Sequence, residues 1–307
     1  MSVRAVPLIS ILVASLVVWF AGIGSCQAGS WGAEIDNDRI VKTDRHFTHG
    51  TRFSWVSDND ETPGWARDLA GALPRIDGPG TLRLGAAIGQ NMFTPDDISN
   101  ADIIADDRPY AGWLYGGLAL EHTAKGNRRT WELDLGIVGP GSLARQTQIL
   151  VHEVLGATIP RGWANQLRNE PGIVLLYEEM WQRTWPIDAN GPRIAVTPHI
   201  SGSIGNIYTH AAAGGSIRFG VFGDDDFGPA RIRPGVPGSD GIARRDGFGW
   251  YLFAGAEGRL VGRNIFLDGN TFTDSHSIDK VPGVLDMQTG VGVAFHSKRL
   301  TVMHVFR

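Results

Sequence analysis

Apolar residues are arranged in two different ways along the chain. Residues 6–23 form one almost unbroken apolar run with Arg4 the only charge before it, and Gly24, Ser25, Cys26, Gln27 and Ala28 then lead into polar sequence. That order of charge, apolar run and small residues predicts a signal peptide over 1–28 and a mature domain over 29–307. An uncleaved anchor stays open, because about 18 apolar residues can just span a bilayer, and so does lipidation at Cys26. Cys26 is the only cysteine, so a disulfide-held scaffold is excluded.

Beyond this run no segment reaches the roughly 18 apolar residues of a spanning helix, and the pattern turns to alternation. Strands are predicted at 82–87, 113–121, 131–136, 174–185, 193–201, 208–222, 248–260, 264–268, 289–296 and 299–306, within a total of eleven or twelve. Charged residues recur inside these apolar runs. In a soluble sandwich that means one solvated face; in an outer-membrane barrel it means a polar lumen inside a lipid-facing band. The 41 glycines and 10 tryptophans favour the barrel, where backbones pack closely and aromatic residues seek the membrane interface. Trp55, Trp113, Trp131, Trp181, Trp185 and Trp250 fall at or near strand ends and predict an aromatic girdle. The expected fold is therefore all-β, an antiparallel transmembrane β-barrel. A barrel wants an even strand number and a closed edge; the chain ends on Val305, Phe306 and Arg307, so a last strand is expected to be missing.

One segment breaks the alternation. Residues 143–157 read as a single helix, with Ser142 able to cap its start, Gly156 to end it and Pro160 to forbid its continuation. Gln148 and His152 are one turn apart and share a face. The segment 224–246, rich in glycine with Pro229, Pro234 and Pro237, reads as a long extracellular loop that either meets sugars through Arg231, Arg233, Arg244 and Arg245 or is simply solvated.

Charge narrows the partners. With 28 Lys and Arg against 32 Asp and Glu, no nucleic-acid partner is expected. Glu34, Asp36, Asn37 and Asp38 offer hard oxygen ligands of the kind calcium takes, although the glycine and distal glutamate of an EF-hand loop are lacking. Asp96, Asp97, Asp106, Asp107 and Arg108 read as turns or ion pairs, and Asp224, Asp225 and Asp226 as an exposed loop.

Taken in order, Asn37-Asp38, Thr48-His49-Gly50, Asp107-Arg108-Pro109-Tyr110-Ala111-Gly112 and Gly136-Ile137-Val138-Gly139-Pro140, leading into Gln148 and His152, resemble the LpxR-type outer-membrane lipid A 3'-O-deacylases. The match runs from about 34 to 185 and continues more loosely to the end. The resemblance implies a barrel of about twelve strands with the short helix beside the active site, and calcium-dependent hydrolysis of the ester that holds the 3'-linked acyloxyacyl group of lipopolysaccharide. It implies His152 as the base that activates water, Gln148 as its neighbour, Asn37 and Asp38 as paired site residues holding calcium, and Thr48 as a hydroxyl nearby. The partners are then lipid A and outer-membrane lipids; separately, a barrel of this size is expected to stand as a monomer. A neutral imidazole suits this chemistry without the family, since its ordinary pKa of about 6.5 lets it take a proton from water.

Two departures stand out. Where the family has a glutamate about six residues after the histidine, this chain has Thr158, with Glu153 directly beside His152. The other is the ending already noted. Alternatives from other classes are a passive or structural pore-like barrel, and an outer-membrane phospholipase, for which Ser54 and Ser142 are poor nucleophile candidates.

Overall fold

The computed structural model describes residues 29–36, 49–58, 61–76, 78–188, 191–223, 226–228, 248–295 and 298–306. The expected signal peptide, Asn37, Asp38, Thr48 and the four loop arginines lie outside these residues. The elements are β1 (Ser30–Asp36), β2 (His49–Val56), α1 (Gly64–Ala72), β3 (Thr81–Phe93), β4 (Ala111–Ala124), β5 (Asn127–Val138), α2 (Ala144–Leu155), β6 (Glu170–Trp181), β7 (Arg183–Pro186), β8 (Arg193–Gly205), β9 (Tyr208–Val221), β10 (Phe248–Asn264), α3 (Ile265–Asp268), β11 (Gly283–Phe295) and β12 (Lys298–Phe306). One antiparallel sheet of 12 strands contains them in chain order, with the short β7 paired to β8 off the main path. Most strands run 12 to 17 residues, longer than the 9–11 or so that cross a bilayer. No described helix is long and apolar enough to cross a membrane.

Alternation decides which face points where. On β5, Arg128, Thr130, Glu132 and Asp134 are buried while Leu133 and Leu135 are exposed. On β8, Thr197, His199, Ser201 and Ser203 are buried while Val196, Ile200 and Ile204 are exposed. On β11, Leu285, Met287, Val291 and Val293 are exposed. Polar residues in and aliphatic residues out is the reverse of a soluble protein and fits a wall standing in lipid. Inside, charges meet their opposites across other strands. Arg52 of β2 donates to Glu132 of β5 at 2.9 Å, and His199 of β8 meets Glu257 of β10 at 2.8 Å. Gly214 of β9 lies between those last two in register. A Cβ there would stand 2.7 Å from the His199 ring, so only glycine leaves the gap through which the pair meets.

The sheet curls far enough for distant strands to touch. Phe93 of β3 stacks on Phe266 of α3 with ring centroids 3.9 Å apart, and Trp113 of β4 lies parallel to Tyr208 of β9 at 6.2 Å. These rings, with Val138, Leu167, Val174 and Ile265, form the main apolar core, which fills one end of the lumen.

Several expectations change. Asn264–Asp268 is not a strand: Asn264 accepts from the Phe266 N–H and starts the helical turn α3. Trp113 is buried in the lumen core and does not belong to a membrane girdle, whereas Trp55 and Trp131 face outward beside α1 and Trp185 is exposed. Asp226 is not on an exposed loop. It is buried, 3.0 Å from Arg218 of β9 and 2.8 Å from Arg299 of β12, while Arg128 of β5 stands over the Phe227 ring. Registers place Ala124, Asn127, Trp181, Arg193, Val221 and Trp250 at one end of the sheet. The other end carries His49, Phe93, Ala111, Val138 and Glu170. The long loop after β9 therefore leaves the sheet at the end opposite α2, not beside it. The main path of the sheet holds 11 strands with β7 beside it, and among the described residues β1 and β12 are its two edges.

Candidate active site

α2 stands on the outer surface of the wall, not in the lumen. In the register of β2, β3 and β4, Arg52, Gly89 and Tyr115 form an inward row, and the rows of opposite parity face out: His49, Met92 and Gly112, then Thr51, Gln90 and Leu114, then Phe53, Ile88 and Gly116. The first of these rows lies under α2. Met92 and Ala144 share an apolar cluster with Ile98, Tyr110 and Trp163, and the Gln90 amide donates to the Ser142 carbonyl at 2.7 Å. Gly112 sets the closeness of the helix. A Cβ on it would stand 2.3 Å from that of Ala144 and 2.2 Å from the Ser142 hydroxyl.

The helix begins and ends on left-handed residues. The chain enters through a 3-10 turn, Pro140–Ser142, and Leu143 at φ 60° precedes α2. The N-cap position falls on Leu143 and not on Ser142; the Ser142 hydroxyl donates to the Gly139 carbonyl at 2.6 Å and accepts from the Ala144 N–H at 3.5 Å. Gly156 at φ 62° ends the helix as expected. The reversal it allows brings the Ala157 N–H to the His152 carbonyl at 2.8 Å and the Thr158 carbonyl to His152 Nδ1 at 2.5 Å. A carbonyl only accepts, so Nδ1 carries a proton in this hydrogen bond, and the group that orients the ring is the main chain of Thr158.

Gln148 is fixed by similar logic. The Trp163 indole N–H donates to its Oε1 at 2.7 Å, and indole nitrogen cannot accept. The amide therefore turns its Nε2 away from Trp163, and that nitrogen is buried with no partner among the described residues. Ala144, Gln148 and His152 are the buried residues of α2. So the wall-facing stripe of this helix holds Ala144, an imidazole and an amide whose Nε2 has no partner among the described residues.

Surrounding loops are tied down by carboxylates. Glu170 accepts from the side chains of Asn206 at 2.9 Å and Asn270 at 3.0 Å and from the Thr271 N–H at 2.7 Å. Asp107 accepts from the backbone N–H groups of Asp96 and Arg108, both at 2.7 Å, and Asp97 from Ser99. The Asp97 carboxyl is held below its ordinary range by the Ser99 hydroxyl and N–H. These acids serve turns. Among the described residues no group of three His, Cys, Asp or Glu is placed to hold a metal ion.

Sequence reasoning singled out Gln148 and His152, and the structure brings them to one buried face. Asn37, Asp38 and Thr48 lie outside the described residues. Trp163 and Thr158 as partners were not foreseen. Their contacts depend on a turn whose path no local pattern reports, although Gly156 announces that a turn is there. Gly112 and His49 sit within motifs already singled out, but only the register puts both on the face under α2.

A family model described as outer membrane protein LpxR matches residues 8–307. Among solved structures, the fold is similar to one named LpxR from Salmonella typhimurium, with a TM-score of 0.67 and 20% identity, over 86% of this chain and 85% of that one. No curated protein matches the sequence.

Proposed function

The chain belongs to the LpxR family of outer membrane proteins, and on that premise we propose that it is a lipid A 3'-O-deacylase in which His152 activates water. The observation that carries the reading is the hydrogen bond from His152 Nδ1 to the Thr158 carbonyl, which leaves Nε2 as an acceptor on the outward side of a lipid-facing wall. Water attacks the carbonyl carbon of the ester at the 3' position while Nε2 takes its proton. Collapse of the tetrahedral intermediate breaks the bond to the sugar oxygen, and the imidazolium returns the proton to that oxygen. The products are the free 3'-hydroxyl and the released acyloxyacyl acid. A positioned base of this kind contributes roughly 10²–10⁴-fold.

The Gln148 Nε2 hydrogens lie one turn from the base and are available to the developing oxyanion, the kind of donor that stabilises such an intermediate. Calcium belongs to the same proposal. The Asp38 carboxylate and the Asn37 amide oxygen are hard donors of the type it prefers, and when bound it would polarise the ester carbonyl. Thr48 is assigned a supporting place beside them. Thr158 does not replace a family carboxylate with its side chain; what it supplies is a carbonyl for the histidine.

A pore is the competing reading. Against it stand the ring cluster at the site end and the Asp226 to Gly228 segment at the other, each bridging walls that are far apart in the sheet. Mass spectrometry of lipid A from a host lacking such enzymes tests the proposal. Expression should produce lipid A lighter by the 3'-linked acyloxyacyl group. Unchanged lipid A, with the protein present in the outer membrane, would overturn it.

A further inference from the structure

The stripe of α2 turned to the wall holds Ala144, Gln148 and His152, and an exposed flank of the same helix carries aliphatic residues. Leu143, Leu150, Val151 and Val154 are 51%, 62%, 41% and 64% exposed, while Gln148 and His152 are buried. A surface helix in water has the reverse arrangement, because burying aliphatic carbon is what holds such a helix to its protein. The polarity is inverted in the same sense as on the strands, where Ile88, Leu118 and Leu135 are exposed at 56%, 52% and 54% while charges fill the lumen. The two apolar surfaces also join. Leu135 and Ile137 point to the same outer face of β5, and a Cβ on Gly141, in the turn that leads into Leu143, would stand 2.6 Å from the Ile137 Cδ1.

We infer that the outer stripe of α2 is part of the membrane contact surface: Leu143, Leu150, Val151 and Val154 lie among the acyl chains of the leaflet at the site end. The occupant is lipid, because the stripe continues the band of an outer-membrane wall and shares its inverted polarity. Arg145, Gln146 and Glu153 lie beside it on the same helix, together with Ile149, and they mark where the helix meets the polar headgroup layer.

This inference does not depend on catalysis, and its test reads no activity. The mature domain has no cysteine, since Cys26 is the only one and lies in the predicted signal peptide, so single spin labels can be placed at Leu150→Cys and Val154→Cys. Ile88→Cys on the exposed wall serves as the lipid reference and Ala105→Cys, on an exposed loop, as the aqueous one. The protein is reconstituted in phosphatidylethanolamine vesicles containing lipopolysaccharide, and heat-dependent gel mobility confirms a folded barrel for each variant. The labels at 150 and 154 should match Ile88→Cys, accessible to dissolved oxygen and shielded from a water-soluble nickel chelate. Chelate accessibility equal to that of Ala105→Cys would overturn the inference. So would shielding from both reagents, which would mean a second protein chain covers the stripe. If one variant fails to fold, the other position decides.

Discussion

Two helices stand against the outer surface of this wall, one at each end, and they bury opposite kinds of residue. α1 turns Ala66 and Ala70 onto Leu84 and Leu120, with Ile76, Trp55 and Trp131 around them. Small apolar residues there bring helix and wall together at no polar cost. α2 turns Gln148 and His152 onto its wall and leaves aliphatic residues outside. An amide nitrogen buried without a partner costs about 1–3 kcal/mol, so α2 is the worse helix by packing criteria. It is nevertheless held firmly, by Gly112 beneath it, by Gln90, by Trp163 and by the Thr158 carbonyl. Polar groups kept buried against their own cost are a mark of chemistry, and α1 supplies the control in the same molecule.

The largest effect should come from removing the base. His152→Ala keeps helix propensity and should leave a folded, membrane-inserted barrel whose deacylation falls roughly 10²–10⁴-fold, read by mass spectrometry of lipid A. A wild-type rate in that variant would reduce α2 to the status of α1. Chelation comes next. If Asp38 and Asn37 hold calcium, excess chelator should abolish release and calcium should restore it better than magnesium, which demands stricter octahedral geometry. Full activity in chelator removes the metal from the proposal.

Smaller losses should separate the donors. Gln148→Ala should lower kcat by at most the roughly 10²–10³-fold typical of one oxyanion donor, and by less than His152→Ala. Trp163→Phe keeps the ring packing on Tyr110 and removes one hydrogen bond, worth about 0.5–1.5 kcal/mol, so a loss of kcat of about 2- to 10-fold is expected. If Trp163 acts only by orienting the amide, it should cost nothing further in a Gln148→Ala background, and additive losses would break that link.

How much of this could be read from the sequence depends on the range of the interactions. Alternation of the kind seen in residues 131–136 needs only near neighbours, so the barrel and most strands are legible. The helix is legible because Gly156 and Pro160 punctuate it. Position 31 shows the limit. Trp31 is 68% exposed on β1, a strand that pairs with β2 over a full seven-residue register, yet acidic composition drew the eye there to metal chemistry instead of alternation. The girdle failed at Trp113 because strand-end position does not say whether a side chain meets lipid or a lumen core. Asp226 looked like a loop acid because its partners lie 8 residues back in Arg218 and on β12 in Arg299, the second of which no local pattern reaches.

That last residue gives the smallest expected effect on activity and a clear effect on stability. Burial alone would push the Asp226 carboxyl up, but Arg299 and Arg218 outweigh it and hold it below its ordinary range. A depressed carboxyl stabilises the fold at pH values above its unfolded pKa of about 3.9, and that contribution is lost as pH falls through the lower folded value. Asp226→Asn leaves two buried guanidinium groups without their counter-charge, which costs about 3–5 kcal/mol when a buried pair is broken. The variant should therefore unfold at lower urea than wild type at pH 7, and the gap between the two should close as pH drops below about 4. Lipid A deacylation in the folded variant should be unchanged, because the latch stands at the end of the sheet opposite α2. A variant that remains folded yet loses activity would show that the two ends are coupled, and the separation of packing from chemistry drawn from the two helices would not extend to the barrel as a whole.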